Sequence, residues 1–173
     1  MSNVIIANVP HLEAHTRSAD FVTDGPEHTQ QFGVRLGALI RPGDVICLSG
    51  ELGAGKTTLA AGIGHGWGAR EVVNSPTFVF VNEYSRADGG RLYHVDAYRL
   101  RDAADAESIA LTDILSDTNS AIMIEWPERV MACVPPERLW IDLQWEGERT
   151  RRVRVEGRGA RYVELAETLK VEG

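Results

Sequence analysis

Nine residues from Gly50 to Thr58, "GELGAGKTT", place three glycines, a lysine and two threonines directly behind the apolar run "DVICLS". The lysine stands out, because among eighteen basic residues only Lys56 and Lys170 are lysines. The spacing matches the phosphate-binding pattern G-x-x-x-x-G-K-[ST]. Gly50, Gly53 and Gly55 let the backbone take positive φ and approach an anion closely. The N–H groups of Leu52, Gly53, Ala54 and Gly55 then form a nest, backed by the N-terminus of the helix that follows. Lys56 is expected to reach the outer phosphates of a nucleoside triphosphate. The Thr57 hydroxyl is expected on Mg²⁺, and Thr58 at the α-phosphate end.

Three more residues have types and positions that suit phosphate chemistry. Thr77, in "NSPTF" (74–78), follows Ser-Pro at the entry to a strand, where a threonine can sense a γ-phosphate or its metal as switch loops do. Read by itself, the same Ser-Pro-Thr is also an ordinary turn before a strand. Asp96 lies near the end of "RLYHVDAYRL", with His94 and Tyr98 at two-residue spacing on the same face, although spacing alone allows a plain exposed acid. Glu125 ends the apolar run "AIMI", where an acid can hold the Mg²⁺ shell or polarise water. Trp126 follows it, and the Trp-Pro pair alone is read as packing. No N-K-x-D guanine-reading motif occurs, which argues against a GTPase. A small-molecule kinase with a lid formed by "YRLR" (98–101), and a nucleotide binder without turnover, stay open at this level.

These residues need elements to hold them. Helical spacing of Phe32, Leu36, Leu39 and Ile40 predicts a helix from about Glu27 to Pro42–Gly43. A buried strand over 44–49 and a helix over 56–67 flank the glycine loop. Strands are expected over 77–84 and 91–100, joined by a turn at Asp88–Gly89–Gly90. One helix over roughly 103–115 leads to a strand at 121–125. "LWIDLQWE" (139–146) and "RRVRVEG" (151–157) read as a closing antiparallel pair. The sum is an α/β fold, a P-loop NTPase-like mixed β-sheet flanked by helices. Residues 1–20 are read as an N-terminal extension, partly disordered, and 21–173 as a single domain.

Apolar content of 43% and charged content of 25% are those of a soluble globular domain. The net charge of −7 argues against autonomous binding to a phosphate backbone. No run is long and apolar enough to span a membrane, and the first twenty residues do not read as a signal peptide. Cys47 and Cys133 lack metal spacing and are read as free thiols of a reducing cytoplasm. The C-terminal arginines Arg149, Arg151, Arg152, Arg154 and Arg158 are interleaved with glutamates and read as a solvated strand face.

Taken together, "RPGDVICLSGELGAGKTTLAAGI" (41–63), "NSPTFVFVNEY" (74–84), "LYHVDAYRL" (92–100) and "IEWPERV" (124–130) give the chain a resemblance to the TsaE family, also called YjeE. The resemblance spans roughly residues 22–155. It implies a small ATPase of tRNA threonylcarbamoyladenosine synthesis that binds ATP or ADP with Mg²⁺. It implies that Lys56 and Thr57 bind phosphate and metal, that Thr77 belongs to a switch-like loop, that Asp96 and Glu125 serve Mg²⁺ and catalysis, and that Trp126 lies beside the nucleotide. It further implies work with TsaD and TsaB, contact with tRNA only through that complex, and ATP hydrolysis that resets the complex between cycles.

Overall fold

A computed structural model describes residues 16–74, 80–101 and 103–171. Seven strands form one sheet: β1 (Thr16–Asp24), β2 (Val45–Gly50), β3 (Val81–Ser85), β4 (Arg91–Asp96), β5 (Ser120–Glu125), β6 (Arg138–Trp145) and β7 (Thr150–Arg158), in the spatial order β1-β7-β6-β2-β5-β4-β3. β6, β2, β5 and β4 are mutually parallel; β3 pairs antiparallel with β4 at one side, and at the other β7 pairs antiparallel with β6 and β1 antiparallel with β7. The central strands β2 and β5 are apolar runs buried along their length, as strands covered on both faces must be. The fold is therefore the expected mixed α/β sheet.

Among the described residues five α-helices cover the sheet: α1 (Gly25–Leu39), α2 (Lys56–Trp67), α3 (Ala103–Ser108), α4 (Leu111–Ser116) and α5 (Ala160–Val171). One core gathers Leu36 of α1, Leu59 and Ile63 of α2 and Leu165 and Leu169 of α5 over Ile46, Leu48 and Met123. The opposite core puts Leu111 of α4, with Val130 and Val134, over Cys47, Val95 and Ile124. α1 and α2 approach backbone to backbone. A Cβ on Gly33 or Gly37 would strike the Leu59 or Ile63 carbonyl oxygen, and one on Gly62 or Gly66 would strike that of Gln30 or Val34. Glycine lowers helix propensity, and here the loss is exchanged for the close seat that fixes α2 behind the glycine loop.

Several elements depart from the sequence reading. The helix expected over 103–115 is two short ones, because Ala110 takes the left-handed conformation (φ 52°) and breaks the run. The strand expected over 91–100 ends at Asp96. The sequence reading has no element before α1, yet β1 occupies Thr16–Asp24, with Ala19, Phe21 and Thr23 facing inward. Nor does it include α5, although Tyr162, Leu165, Ala166 and Leu169 are buried at helical spacing. The strand expected over 77–84 is seen as β3 from Val81, and Thr77 lies outside the described residues. No described helix is long and apolar enough to cross a membrane.

Candidate functional site

Parallel strands bring their carboxyl ends to one edge of the sheet, where open α/β folds bind ligands. Here that edge carries Gly50 of β2, Asp96 of β4, Glu125 of β5 and Trp145 of β6. Asp96 and Glu125 are direct neighbours in the β4–β5 register. The glycine loop leaves β2 with positive φ at Gly50 (133°), Gly53 (78°) and Gly55 (110°), and Gly55 is the N-cap of α2. A side chain at Gly50 would collide with the Leu143 carbonyl oxygen, so glycine is required there by both conformation and space.

A cavity of about 310 Å³ lies above this edge. Leu52, Gly53, Gly55, Lys56, Thr57 and Thr58 line it from the loop and α2, and Asp96, Tyr98, Glu125 and Trp126 line it from the other strand ends. Nearly all of the residues selected from sequence thus meet in one place. Gly50 and Ala54 do not line the cavity: Gly50 shapes the turn, and Ala54 is fully buried.

Lys56 is buried, and its ammonium donates to the carbonyl oxygens of Gly50 (2.6 Å) and Glu51 (2.7 Å). The same ammonium stands 3.8 Å from the centroid of Trp126. Burial pulls its pKa below the usual lysine value, and the carboxylates of Glu125, Glu128, Asp96 and Asp142 oppose that shift. Trp126 takes the left-handed conformation (φ 58°), uncommon for a bulky residue and disfavoured before proline. The bend it makes starts the 3₁₀ turn Pro127–Val130, and the Trp126 ring also meets Tyr98 at 4.9 Å. Strain of this kind persists where the surroundings over-determine it. Here it holds an indole against the lysine.

Glu125 is buried between two groups. Its Oε1 lies 2.9 Å from His94 Nε2, and its Oε2 accepts a long bond, 3.4 Å, from Thr57 Oγ1. A carboxylate only accepts, so Nε2 carries the imidazole proton. His94 Nδ1 is buried without a hydrogen-bond partner. His94, assigned from sequence to a polar face, is fully buried: that face of β4 is covered by the main core, with Leu92 beside it. Glu128, from the 3₁₀ turn, accepts a short bond from the Ser49 hydroxyl. Asp96 Oδ1 accepts from the Tyr98 N–H at 3.0 Å.

The residues fit a Mg²⁺–nucleotide pair. Two carboxylates and the Thr57 hydroxyl converge on the loop, and Mg²⁺ takes one or two carboxylates and completes its shell with phosphate oxygens and water. Among the described residues no cluster of three or more His, Cys, Asp or Glu forms an all-protein metal cage.

Sequence reasoning missed four participants. His94 and Glu128 were visible at two- and three-residue spacing from Asp96 and Glu125, but their roles depend on which strand lies beside which. Trp145 and Arg151 are separated from the loop by about ninety residues of chain, and only the sheet order brings them to it. Arg151 donates to the Ala54 carbonyl oxygen at 3.1 Å. Its neighbours behave as a solvated face: Arg152 pairs with Glu146, and Arg158 with Glu156 at 2.6 Å. Of the "YRLR" arginines, Arg101 bonds Asp105, and Arg99 stands 5.1 Å from the Phe80 ring. Cys47 is buried and free, and burial pushes its thiol up to about 12, while Cys133 is partly buried.

Comparison with known proteins follows the same geometry. The family model described as "Threonylcarbamoyl adenosine biosynthesis protein TsaE" matches residues 23–153. The chain is 37% identical over 148 residues to the tRNA threonylcarbamoyladenosine biosynthesis protein TsaE of Bacillus subtilis, covering 85% of this chain and 90% of the relative. It is 43% identical over 139 residues to the protein of that name from Streptomyces coelicolor, covering 77% and 93%. The crystal structure of Bacillus subtilis YdiB superposes with a TM-score of 0.74 at 30% identity, covering 91% of this chain and 97% of that one.

Proposed function

The chain belongs to the TsaE family of tRNA threonylcarbamoyladenosine biosynthesis, and from that membership we propose that it is the ATP-hydrolysing subunit of the modification machinery, acting with TsaD and TsaB. The observation that carries the catalytic part is the convergence of Lys56, Thr57, Asp96 and Glu125 on one cavity at the carboxyl edge of the sheet. In this reading the loop N–H groups and Lys56 bind the phosphates. Lys56 exchanges the Gly50 and Glu51 carbonyls for phosphate oxygens, and Trp126 steadies its ammonium. Thr57, Asp96 and Glu125 hold Mg²⁺, which supplies neutralisation of the charge on the outer phosphates. His94 fixes Glu125 through the 2.9 Å bond, so the carboxylate stays aimed at Thr57. Thr77 senses the γ-phosphate, a role that rests on sequence alone. Hydrolysis relaxes that contact and resets the partner complex between cycles. The tRNA is met through the partners, in keeping with the net charge of −7.

A P-loop site without an arginine directed at the transferred phosphoryl group hydrolyses slowly, and supplying that charge in trans accelerates it by about 10³–10⁵. Arg101 is engaged with Asp105 and does not line the cavity. The expected outcome is ATP binding by the isolated chain with turnover far below about 1 s⁻¹, and acceleration on adding the TsaB–TsaD pair. Steady-state phosphate release, with and without the pair, makes the test. Fast hydrolysis by the isolated chain, unchanged by the pair, sinks the partner-gated reading.

A further inference from the structure

Three consecutive residues at the end of β2 hold three different parts of the site. The Leu48 carbonyl oxygen accepts the Trp126 N–H at 3.1 Å. The Ser49 hydroxyl donates to Glu128 Oε1. The Gly50 carbonyl oxygen accepts from the Lys56 ammonium at 2.6 Å. The circuit closes through space, because the Trp126 ring stands 3.8 Å from that ammonium. Glu128 lies two residues beyond Trp126, inside the Pro127–Val130 turn, and does not line the cavity at the carboxyl edge. It is an exposed residue, yet its carboxylate turns back onto buried Ser49.

Trp126 needs such a tie. A left-handed backbone is disfavoured for a bulky residue and again for the residue before a proline, so it relaxes unless both flanks are pinned. The upstream flank is pinned by the sheet: Glu125 pairs in register with Leu48, and its carbonyl oxygen accepts the Ala97 N–H at 3.0 Å. Downstream, Pro127 has no N–H to donate, and the polar bond that returns the turn to β2 is that of Ser49 with Glu128. We propose that Ser49 and Glu128 form a clasp that keeps Trp126 in its left-handed conformation, so that the indole stays over Lys56. Glu128 is then a positioning residue that acts on the phosphate-binding ammonium through Trp126. This rests on the nucleotide-binding reading above and deepens it, because Lys56 is presented by the turn after β5 as well as by the glycine loop. The Glu128 charge also favours the ammonium form of Lys56, an effect separate from the clasp.

Glu128→Gln keeps an acceptor for the Ser49 hydroxyl and Glu128→Ala does not, while both remove the same charge. Calorimetric titration with Mg²⁺–ATP is expected to give about 10-fold weaker affinity in Glu128→Ala than in Glu128→Gln, the size of one cation–π contact. Ser49→Ala, which breaks the bond and keeps the charge, is expected to lose about as much against the wild type. In a Trp126→Ala background the difference between the two Glu128 variants should vanish. Tryptophan fluorescence without ligand gives a second readout: Glu128→Ala and Ser49→Ala should shift the emission, Glu128→Gln should not, and the shift should be absent in Trp126→Ala. Equal ATP affinity in Glu128→Ala and Glu128→Gln would overturn the proposal. A difference that persists in Trp126→Ala would overturn it too, by making the bond a brace of the glycine loop itself. A wild type that does not bind Mg²⁺–ATP, with the emission shifts as expected, rejects the nucleotide reading and supports the clasp on Trp126 alone. Emission unchanged in Glu128→Ala and Ser49→Ala rejects the clasp.

Discussion

Asp44 and Glu125 are buried acids at opposite ends of the same pair of parallel strands, 4% and 2% exposed, and they are treated in opposite ways. Asp44, just before β2, is closed off by bonds. Arg161 donates to it twice, at 3.1 and 2.7 Å, and the Arg41 N–H donates at 2.9 Å. The same guanidinium also reaches the Leu39 carbonyl oxygen at 2.7 Å, and Asp44 holds the Arg161 pKa above its usual value. Glu125, at the end of β5, has a histidine on one oxygen and a 3.4 Å hydroxyl contact on the other. A buried charge without full partners is costly. At Asp44 the fold removes that cost and ties α5 to the α1–β2 turn. At Glu125 it leaves bonding capacity facing a cavity, as expected where a cation is to be received.

The sharpest way to break the contrast is to remove each charge system and read both activity and stability. Glu125→Gln keeps the shape and removes the charge. Its expected effect is a loss of about 10²–10⁴-fold in partner-stimulated phosphate release, with a smaller change in ATP affinity and no fall in the unfolding midpoint. Full turnover in this variant would make Glu125 a structural acid like Asp44. Arg161→Ala should do the reverse. It strands a buried carboxylate and is expected to cost about 3 kcal/mol of stability, at the low end for a broken buried pair because Arg161 is partly solvated. Denaturant unfolding measures the loss, and ATP affinity should be unchanged. A stable Arg161→Ala, or one that loses ATP binding, would show that the two ends of the sheet are not separate in role.

The two ends also differ in how legible they were. The carboxyl edge was readable because its chemistry is local: the glycine loop needs a strand before and a helix after, Glu125 closes an apolar strand, and Asp96 lies near the end of another, although only the structure shows that β4 stops there. The structural end was not. Nothing near Asp44 in sequence announces Arg161, since their pairing depends on α5, and α5 was not read beyond the arginine-rich hairpin despite the helical spacing of Tyr162, Leu165, Ala166 and Leu169. β1 escaped for another reason. Its inward face carries Ala19, Phe21 and Thr23 while Val22 faces solvent, so burial alternates along the strand but hydrophobicity does not follow it. Arg151 shows the limit from the other side, because a cation in an arginine run bounded by glutamates has the pattern of a solvated face. Only the β6–β7 register, which sets it on Trp145, and the β2–β6 pairing, which puts that hairpin beside the loop, distinguish it from Arg152.

The smallest expected effect separates the ion pair from the hydrogen bond beside it. The Tyr162 hydroxyl accepts the Val45 N–H at 2.8 Å, at the first residue of β2. Tyr162→Phe leaves that buried donor unpaired and is expected to cost about 1–2 kcal/mol, less than Arg161→Ala because no charge is stranded. The difference between the two proteins has a pH signature. Burial pushes the Tyr162 phenol up to about 12 from its ordinary 10.0, so the fold favours the protonated form. Its contribution is complete below about pH 10 and is lost as the pH rises through about 12. The stability gap between wild type and Tyr162→Phe should therefore be constant near neutrality and narrow above about pH 10. Urea unfolding at a series of pH values measures it. A gap that widens in alkali would mean that the phenolate is favoured in the folded state. A gap of zero at neutral pH would mean that water replaces the lost hydroxyl.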